Sequence, residues 1–276
     1  MNVLESIIKI IFKEGIINYF KRKLNISYLD NKTIYPIIYN NNKTKILLNR
    51  QFGHVDLKIF SDGIYEKEIV DDIRAVLAPD KNFIDIGANI GQHSLLLSRY
   101  AKAVYSFEPI PIVFQQFSKS IRLNHIKNIH PFNLAVGEKK ESKKFNFVTT
   151  HAGTSSFVER ENKNTNYITV HTDTLQNIIP SVKLDVMKID VEGYEAVVVL
   201  GNKEKILHDR PTIFIEVNPT WIEKQGEYKT EELLDFFHQN EFEIYSRNEK
   251  RILNREDFDL KIQDNLIISP KSTIKI

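Results

Sequence analysis

Between Asn82 and Val217 the chain alternates short, nearly continuous apolar runs with longer stretches in which apolar residues recur every three or four positions. Continuous runs suit strands buried on both faces, and the periodic stretches suit helices that cover them. The expected strands are Asn82–Ile86, Ala103–Phe107, Ile129–Ala135, Leu184–Ile189 and Thr212–Val217. Strand alternating with helix predicts a parallel sheet with both faces covered. An amphipathic helix is expected over Gln92 to Tyr100, and another begins at Pro111, a favoured first-turn residue. The tail offers a helix at Thr230–Asn240, a strand-like Phe242–Tyr245 and a last strand Asn265–Ser269. Upstream, Ile34–Tyr39, Lys45–Leu48 and Val55–Phe60 alternate at strand period, with a turn at Asn40-Asn41-Asn42. They predict a small β substructure, followed by a helix from Tyr65 to Leu77 that Pro79 ends. A polar insertion, Gly137 to Asn177, carries strand-like runs Lys144–Val148 and Ile168–His171 and a Gly/Ser/Thr-rich loop around His151 and Ser155.

The first strand of the alternating portion ends in Asp85 and runs into Gly87-Ala88-Asn89-Ile90-Gly91. Strand, glycine-rich turn and helix form the layout of a nucleotide crevice beyond the carboxyl ends of an open α/β sheet. Glu108 closes the next strand, 21 residues after Gly87. A carboxylate at that interval can accept hydrogen bonds from both hydroxyls of a ribose. The turn lacks the Gly-x-Gly-x-x-Gly of pyrophosphate binders, and Asp85 beside it would repel phosphate. A ligand with a positive end, such as the ammonium and sulfonium of S-adenosylmethionine, suits it better.

Four segments in order resemble the FkbM-type methyltransferases, a branch of the S-adenosylmethionine-dependent Rossmann-like methyltransferases. They are Gly63-Ile64-Tyr65-Glu66, Phe83 to Gly91, Phe107-Glu108-Pro109 with Leu123-Asn124, and Met187-Lys188-Ile189-Asp190-Val191-Glu192-Gly193. The Lys-Ile-Asp-Val-Glu-Gly string is the most specific, and Pro211 to Val217 with Glu216 follows it as in the family. The likeness spans roughly Asp62 to Pro219; His93 departs from it, standing where an aromatic or small polar residue is expected. The resemblance implies a Rossmann-like α/β sandwich with a seven-stranded, mostly parallel sheet, to which an N-terminal helix and small β elements are added. Residues 1–61 would hold those additions and 62–276 the methyltransferase domain. It also implies that Tyr65-Glu66 folds back over the cofactor, and that the acceptor is a small molecule or glycan, often in surface-polysaccharide assembly.

On these segments the candidate cofactor-binding residues are Glu66, Asp85, Gly87, Asn89, Gly91, Glu108, Pro109, Ala135 and Asp190. Candidate catalytic residues are Asp190, Glu192 and His93. On an extended segment Asp190 and Glu192 would project to one side, one as base and one as orienter. A neutral His93 could take a proton from a hydroxyl. The alternative is that Lys188 and the two carboxylates form structural ion pairs and cap the next helix. Candidate substrate-binding residues are His151, Ser155, Glu216, Asn218 and Trp221, the only Trp, expected in a polar loop. No metal is assigned; a divalent cation held by Asp190, Glu192, Glu216 or Asn218 is a reading kept open but not favoured.

Composition narrows the partners. Thirty-eight basic and 36 acidic residues among 276 leave a net charge of +2, which gives no support for a nucleic-acid partner. Cysteine is absent, so there is neither a disulfide framework nor a thiolate metal site. No secretory signal and no run of membrane-span length is seen, which points to the cytoplasm. Leu4 to Leu24 reads as an amphipathic helix with Lys9, Lys13 and Lys21-Arg22-Lys23 among its isoleucines. It would dock on the fold or on a second copy of the chain, or lie on the inner face of an anionic membrane near a lipid-linked sugar. The resulting expectation is O-methylation of a sugar or glycan hydroxyl. Open alternatives are another small metabolite, a nicotinamide-dependent oxidoreductase, and a nucleotide-binding module without chemistry.

Overall fold

The structure is a computed structural model that describes residues 33–49, 53–148 and 165–271, with side chains left aside at 147, 148, 165 and 166. The N-terminal helix expected at Leu4 to Leu24 and the loop with His151 and Ser155 lie outside the described residues.

The fold is α/β, with a mixed, mainly parallel central sheet. Its strands β3 (Asn82–Ile86), β4 (Ala103–Phe107), β5 (Ile129–Phe132), β9 (Val186–Ile189) and β10 (Thr212–Val217) run parallel. The antiparallel β13 (Asp264–Pro270) joins β10 and pairs with β11 (Phe242–Ser246), as expected for the tail. A two-residue strand β12 (Arg251–Ile252) adds an eighth member at the edge, one more than the resemblance implied. The order across the sheet is β12-β11-β13-β10-β9-β3-β4-β5. The chain leaves β3 toward β4 and β5, then crosses back to β9 on the other side of β3. The carboxyl end of β3 is therefore a topological switch point, where such sheets open a ligand crevice.

Two core clusters sandwich the sheet. One packs Phe83, Val104, Phe117 and Val186; the other packs Ile84, Phe107, Met187 and Ile213. Alternate residues of each parallel strand feed opposite clusters, which is why the strands read as continuous apolar runs. Helix α3 (Gln92–Leu97) runs on into a 3-10 turn, Ser98–Tyr100, over the stretch expected to be amphipathic. All six α3 residues are buried, because α2 (Lys67–Val76) and the upstream hairpin cover what would have been its solvent face.

That hairpin, β1 (Thr33–Tyr39) and β2 (Asn42–Leu48), forms with the expected turn, Asn40 and Asn41 taking positive φ. Its exposed edge is satisfied by one face of α4 (Pro111–Leu123) and the residue after it. Gln116 Nε2 donates to the Leu47 carbonyl (2.7 Å), Ser120 Oγ accepts from Leu47 N (2.9 Å), and Asn124 bonds both polar groups of Lys45. Residues four apart lie one above another on a helix, so three polar side chains replace a missing strand. The apolar side chains of the hairpin belong to the same core as Phe83 and Phe117.

Val55–Phe60, expected as a third strand, is helical instead, within α1 (His54–Asp62). Its buried residues are Asp56, Ile59 and Phe60, a helical spacing. The polar Asp56 concealed that period. It is buried because its Oδ1 accepts from Asn49 N (2.5 Å) and Gln116 Nε2 (2.7 Å). The expected strand Ile129–Ala135 also divides: after β5 the chain leaves the central sheet, and β6 (Ala135–Val136) pairs with β8 (Thr165–Asp173). With β7 (Glu141–Val148) these make a separate three-stranded sheet, order β6-β8-β7, from the polar insertion. Short helices α5 (Leu175–Ile178), α6 (Glu195–Leu200) and α7 (Lys203–Asp209) complete this flank, and α8 (Pro219–Gln225) and α9 (Thr230–Gln239) lie between β10 and β11.

Candidate active site

The turn after β3 is built for close approach. Gly87 has φ +85°, and a Cβ there would lie 1.9 Å from the main-chain oxygen of Asp190. Glycine alone permits both the conformation and the contact with the end of β9. The amides of Gly87 and Ala88 donate to the Phe107 carbonyl (3.0 and 2.9 Å), tying the turn to β4. The Asn89 amide donates to Glu108 Oε2 (2.9 Å) and the Ile110 amide to Oε1 (2.8 Å). Two main-chain donors thus fix the carboxylate from opposite sides. Burial pushes Glu108 up to about 7 against those two hydrogen bonds. Phe107, Pro109 and Ile110, Ala135 and Val136 of β6, Phe145 of β7, and Tyr194 complete the walls. The result is an apolar slot with one anchored carboxylate, a shape for a flat heterocycle carrying vicinal hydroxyls.

A second cavity, of about 290 Å³, opens at the carboxyl ends of β9 and β10. It shares Gly87, Asn89, Asp190 and Glu192 with the slot. Tyr65 and Gln92 form its upper wall, with His93, Lys188, Glu216, Asn218, Trp221 and Gln263 around it. The Gln92 side chain accepts from the Tyr65 amide and donates to the Tyr65 carbonyl, both at 2.7 Å. This clamp holds the turn in which Glu66 takes φ +49°. Asn89 and Glu192 are also left-handed, at +51° and +54°. Asn89 and Glu192 line both adjoining cavities, and two strained non-glycine residues there fit a functional site, since such strain persists only where the surroundings impose it.

The second cavity is rich in charge. Lys188 is buried, its Nζ 2.8 Å from Asp190 Oδ2. Burial opposes the ammonium, but Asp190, Glu66 and Asp85 outweigh it and raise its pKa. Glu66, Asp190 and Glu216 each bring a carboxylate oxygen to within 4.8 Å of the others. A small cation would suit that spacing, and Lys188 supplies positive charge there. Burial, then the negative charges of Asp190, Glu66 and Glu192, push Glu216 up to about 9 against the pull of Lys188. Burial likewise raises Glu66, with Lys188 opposing and Asp190 assisting. Burial and Lys188 hold His93 neutral, far below the usual histidine range. Its Nε2 lies 3.7 Å from Glu66 Oε2 and has no hydrogen-bond partner among the described residues.

Of the candidate cofactor residues, Gly87, Asn89, Glu108, Pro109, Ala135 and Asp190 line the slot. Asp85 does not: it is fully buried beneath the turn, accepting from Ser94 Oγ and facing Lys188. Its charge therefore answers a lysine of this chain. Gly91, at φ +82°, caps α3 against the Phe117 ring rather than lining either cavity. Glu66 joins the acidic cluster instead of the slot. Asp190, Glu192 and His93 all line the second cavity, as do Glu216, Asn218 and Trp221. Asp190 and Glu192 are not an extended pair, because the chain turns at the left-handed Glu192. Trp221 lies in α8 rather than in a loop; Asn218 caps that helix, and a Cβ on Gly193 would lie 2.8 Å from the Trp221 Cβ.

Sequence reasoning missed Glu195. Its carboxylate accepts from the amides of Gly193 (3.0 Å) and Val191 (3.2 Å) and so holds the Glu192 turn. Its place three residues after Glu192 in the same string was the available signal. The walls given by Phe145 and Gln263 had no such signal, since Phe145 comes from β7 of the separate sheet and Gln263 from the segment just before β13.

The chain matches the methyltransferase FkbM domain over residues 85–244. No curated protein matches it. Among solved structures, the FkbM methyltransferase of Methylobacillus flagellatus KT is 15% identical, over 78% of this chain and 52% of that one, with a TM-score of 0.45. A Streptococcus mutans protein in complex with SAH is 16% identical, over 74% and 96%, with a TM-score of 0.44. TYW2 from M. jannaschii, in complex with AdoMet, is 14% identical, over 87% and 85%, with a TM-score of 0.41. The family match covers more than half of the chain and runs from Asp85 through Glu108, Asp190 and Glu216: the chain belongs to the FkbM family of methyltransferases.

Proposed function

We propose that this protein transfers a methyl group from S-adenosylmethionine to a hydroxyl oxygen of a sugar or glycan. The observation that carries the reading is the junction of the two cavities. A slot with one amide-anchored carboxylate shares Gly87, Asn89, Asp190 and Glu192 with a second cavity bearing carboxylates, an indole and four amide side chains. The slot residues fit the cofactor: Gly87 lets the turn pack on the Asp190 main chain, and Glu108 keeps lone pairs for two ribose hydroxyls. The cofactor supplies a methyl group on a positively charged sulfur. The chain has to place the acceptor, exclude water and receive one proton. Orientation of bound reactants contributes several kcal/mol to such a step.

The second cavity suits a polyol. Asn218, Gln263 and Glu192 offer donors and acceptors, and Trp221 offers a flat apolar face for a sugar ring. Asp190 and Glu192 are the groups at the junction that can accept the hydroxyl proton, with neutral His93 beside them. A role in surface-polysaccharide assembly on lipid-linked sugars follows from the same reading. No helix among the described residues is long and apolar enough to cross a membrane. Contact with a bilayer is assigned to the amphipathic pattern of Leu4 to Leu24, and a truncation of residues 1–32 should lose binding to anionic vesicles.

The test is incubation of the protein with methyl-labelled S-adenosylmethionine and sugar nucleotides, free glycans or small phenolic and carboxylic acceptors, followed by mass spectrometry. An O-methyl ether on the sugar is expected. Label on nitrogen or carboxyl oxygen, or only on non-sugar acceptors, would overturn the acceptor assignment.

A further inference from the structure

The second cavity holds more carboxylates than its cations neutralise. Asp190 lines it from the end of β9 and Glu216 from β10, and Glu66, in the turn before α2 and outside that lining, brings an oxygen within 4.8 Å of theirs. Glu192 stands on the same wall. The charged groups packed against them are Lys188 of β9, bonded to Asp190, buried Asp85 of β3, and Arg247 beyond β11. Arg247 pairs with Glu68 at 3.2 Å and Asp72 at 3.0 Å and also draws Glu66 down, without overcoming its burial. His93 of α3 is neutral, and Tyr65 is held in its phenol form, its pKa raised by burial and by Glu66. Like charges this close cannot all ionise in a partly dry site. A second observation points the same way. His93 Nε2, buried and without a hydrogen bond among the described residues, faces Glu66 at 3.7 Å, and burial with Lys188 keeps the ring neutral, so no protonated imidazole relieves the cluster.

We propose that Glu66, Asp190 and Glu216 form a proton store that reads the charge of the cofactor: the store gives up a proton when a sulfonium enters the adjoining slot and refills with the proton of the acceptor hydroxyl. The inference rests on the S-adenosylmethionine reading above. Asp190 is the link, since it lines both cavities and belongs to the cluster. A fixed positive charge beside Asp190 favours the ionised form of its neighbours, so the excess proton departs to solvent. That leaves a carboxylate beside the acceptor. In the transfer, the S–C electron pair stays with sulfur and the O–H pair stays with oxygen as the O–C bond forms. The freed proton goes to the cluster, which by then has lost its neighbouring positive charge. The balance closes: one sulfonium consumed, one proton returned to the store. Glu216 at about 9 keeps one proton in the store at neutral pH before cofactor binds.

The arrangement makes a sign-definite difference between substrate and product. S-adenosylhomocysteine lacks the positive sulfur and should leave the store filled. The test is calorimetric titration of the full chain at pH 7 with each ligand, in phosphate and in Tris, whose ionisation heats differ. Wild type should release about one proton more with S-adenosylmethionine than with S-adenosylhomocysteine, and the ratio of their affinities should rise up to ~10-fold per pH unit. Glu216→Gln should abolish that difference while still binding both ligands, and Glu66→Gln should reduce it. Equal proton counts for the two ligands in wild type would overturn the proposal, as would an unchanged difference in both variants. Failure of either ligand to bind wild type would instead remove the cofactor reading itself. A variant that melts early is replaced by the other, since each removes one titrating carboxyl.

Discussion

The slot and the second cavity share four residues but solve opposite problems. In the slot, one carboxylate, Glu108, is held by the amides of Asn89 and Ile110 between apolar walls. That carboxylate has its partners before ligand arrives, so this part of the site is pre-organised. In the second cavity, carboxylates crowd around a single buried ammonium, and Glu216 stays protonated at neutral pH. That region is left electrostatically unfinished, and an incoming cation or a moving proton completes it. On the proposed reading, the cofactor is bound where the chain is satisfied and the proton moves where it is not.

The sharpest way to break this comparison is Asp190→Asn. It should lower turnover by ~10²–10⁴-fold while changing cofactor affinity far less, because a proton acceptor acts mainly in the transition state. Full turnover in Asp190→Asn and in Glu192→Gln would move the proton to His93. Next in size is Lys188→Met, which strands the carboxylates of Asp190, Glu66 and Asp85 without their cation. Chemical denaturation should show a loss of about 3–5 kcal/mol. A change under 1 kcal/mol would mean that the cluster is protonated enough to dispense with Lys188. On the slot side, Glu108→Ala should weaken S-adenosylmethionine by about 1.5–3 kcal/mol, the cost of removing a charged acceptor. Equal affinity by calorimetry would take Glu108 out of the site.

The smallest expected effect is a pH trend in thermal stability without ligand. Asp56 at about 6, Glu108 at about 7 and Glu216 at about 9 all lie above the ordinary carboxyl range through burial. The folded chain holds protons that the unfolded chain releases, so their contribution is fully present below about pH 4 and is lost as pH rises through these values. The melting temperature should therefore fall between about pH 5 and 9. Asp71 and Asp209 work the opposite way only at acid pH, since their partners hold them low. Glu216→Gln should flatten the decline above pH 7; an unchanged slope there would show that Glu216 is already ionised in the fold.

Much of the fold was legible because the physics behind it is local. β3, β4 and β10 fall at the expected bounds, since a parallel strand buried on both faces writes itself as an apolar run. Helix α1 was misread because one buried polar residue, Asp56, broke the apolar period. Its partners Asn49 and Gln116 are supplied by tertiary contact. α3 was misread as half-exposed for the same reason: nothing in its own residues tells that the hairpin will cover it.

By itself the sequence determined the strand–turn–helix at Gly87, the carboxylate 21 residues on, and the string around Asp190, because each is a contiguous segment whose chemistry does not depend on distant chain. Only the tertiary structure decided which charges meet. Asp85, two residues before Gly87, turns inward to Ser94 and Lys188, while Glu66, more than a hundred residues before Asp190, arrives beside Asp190. Coulombic interaction depends on separation in space and on burial, and both are set by how β3, β9 and β10 stack side by side rather than by their order along the chain.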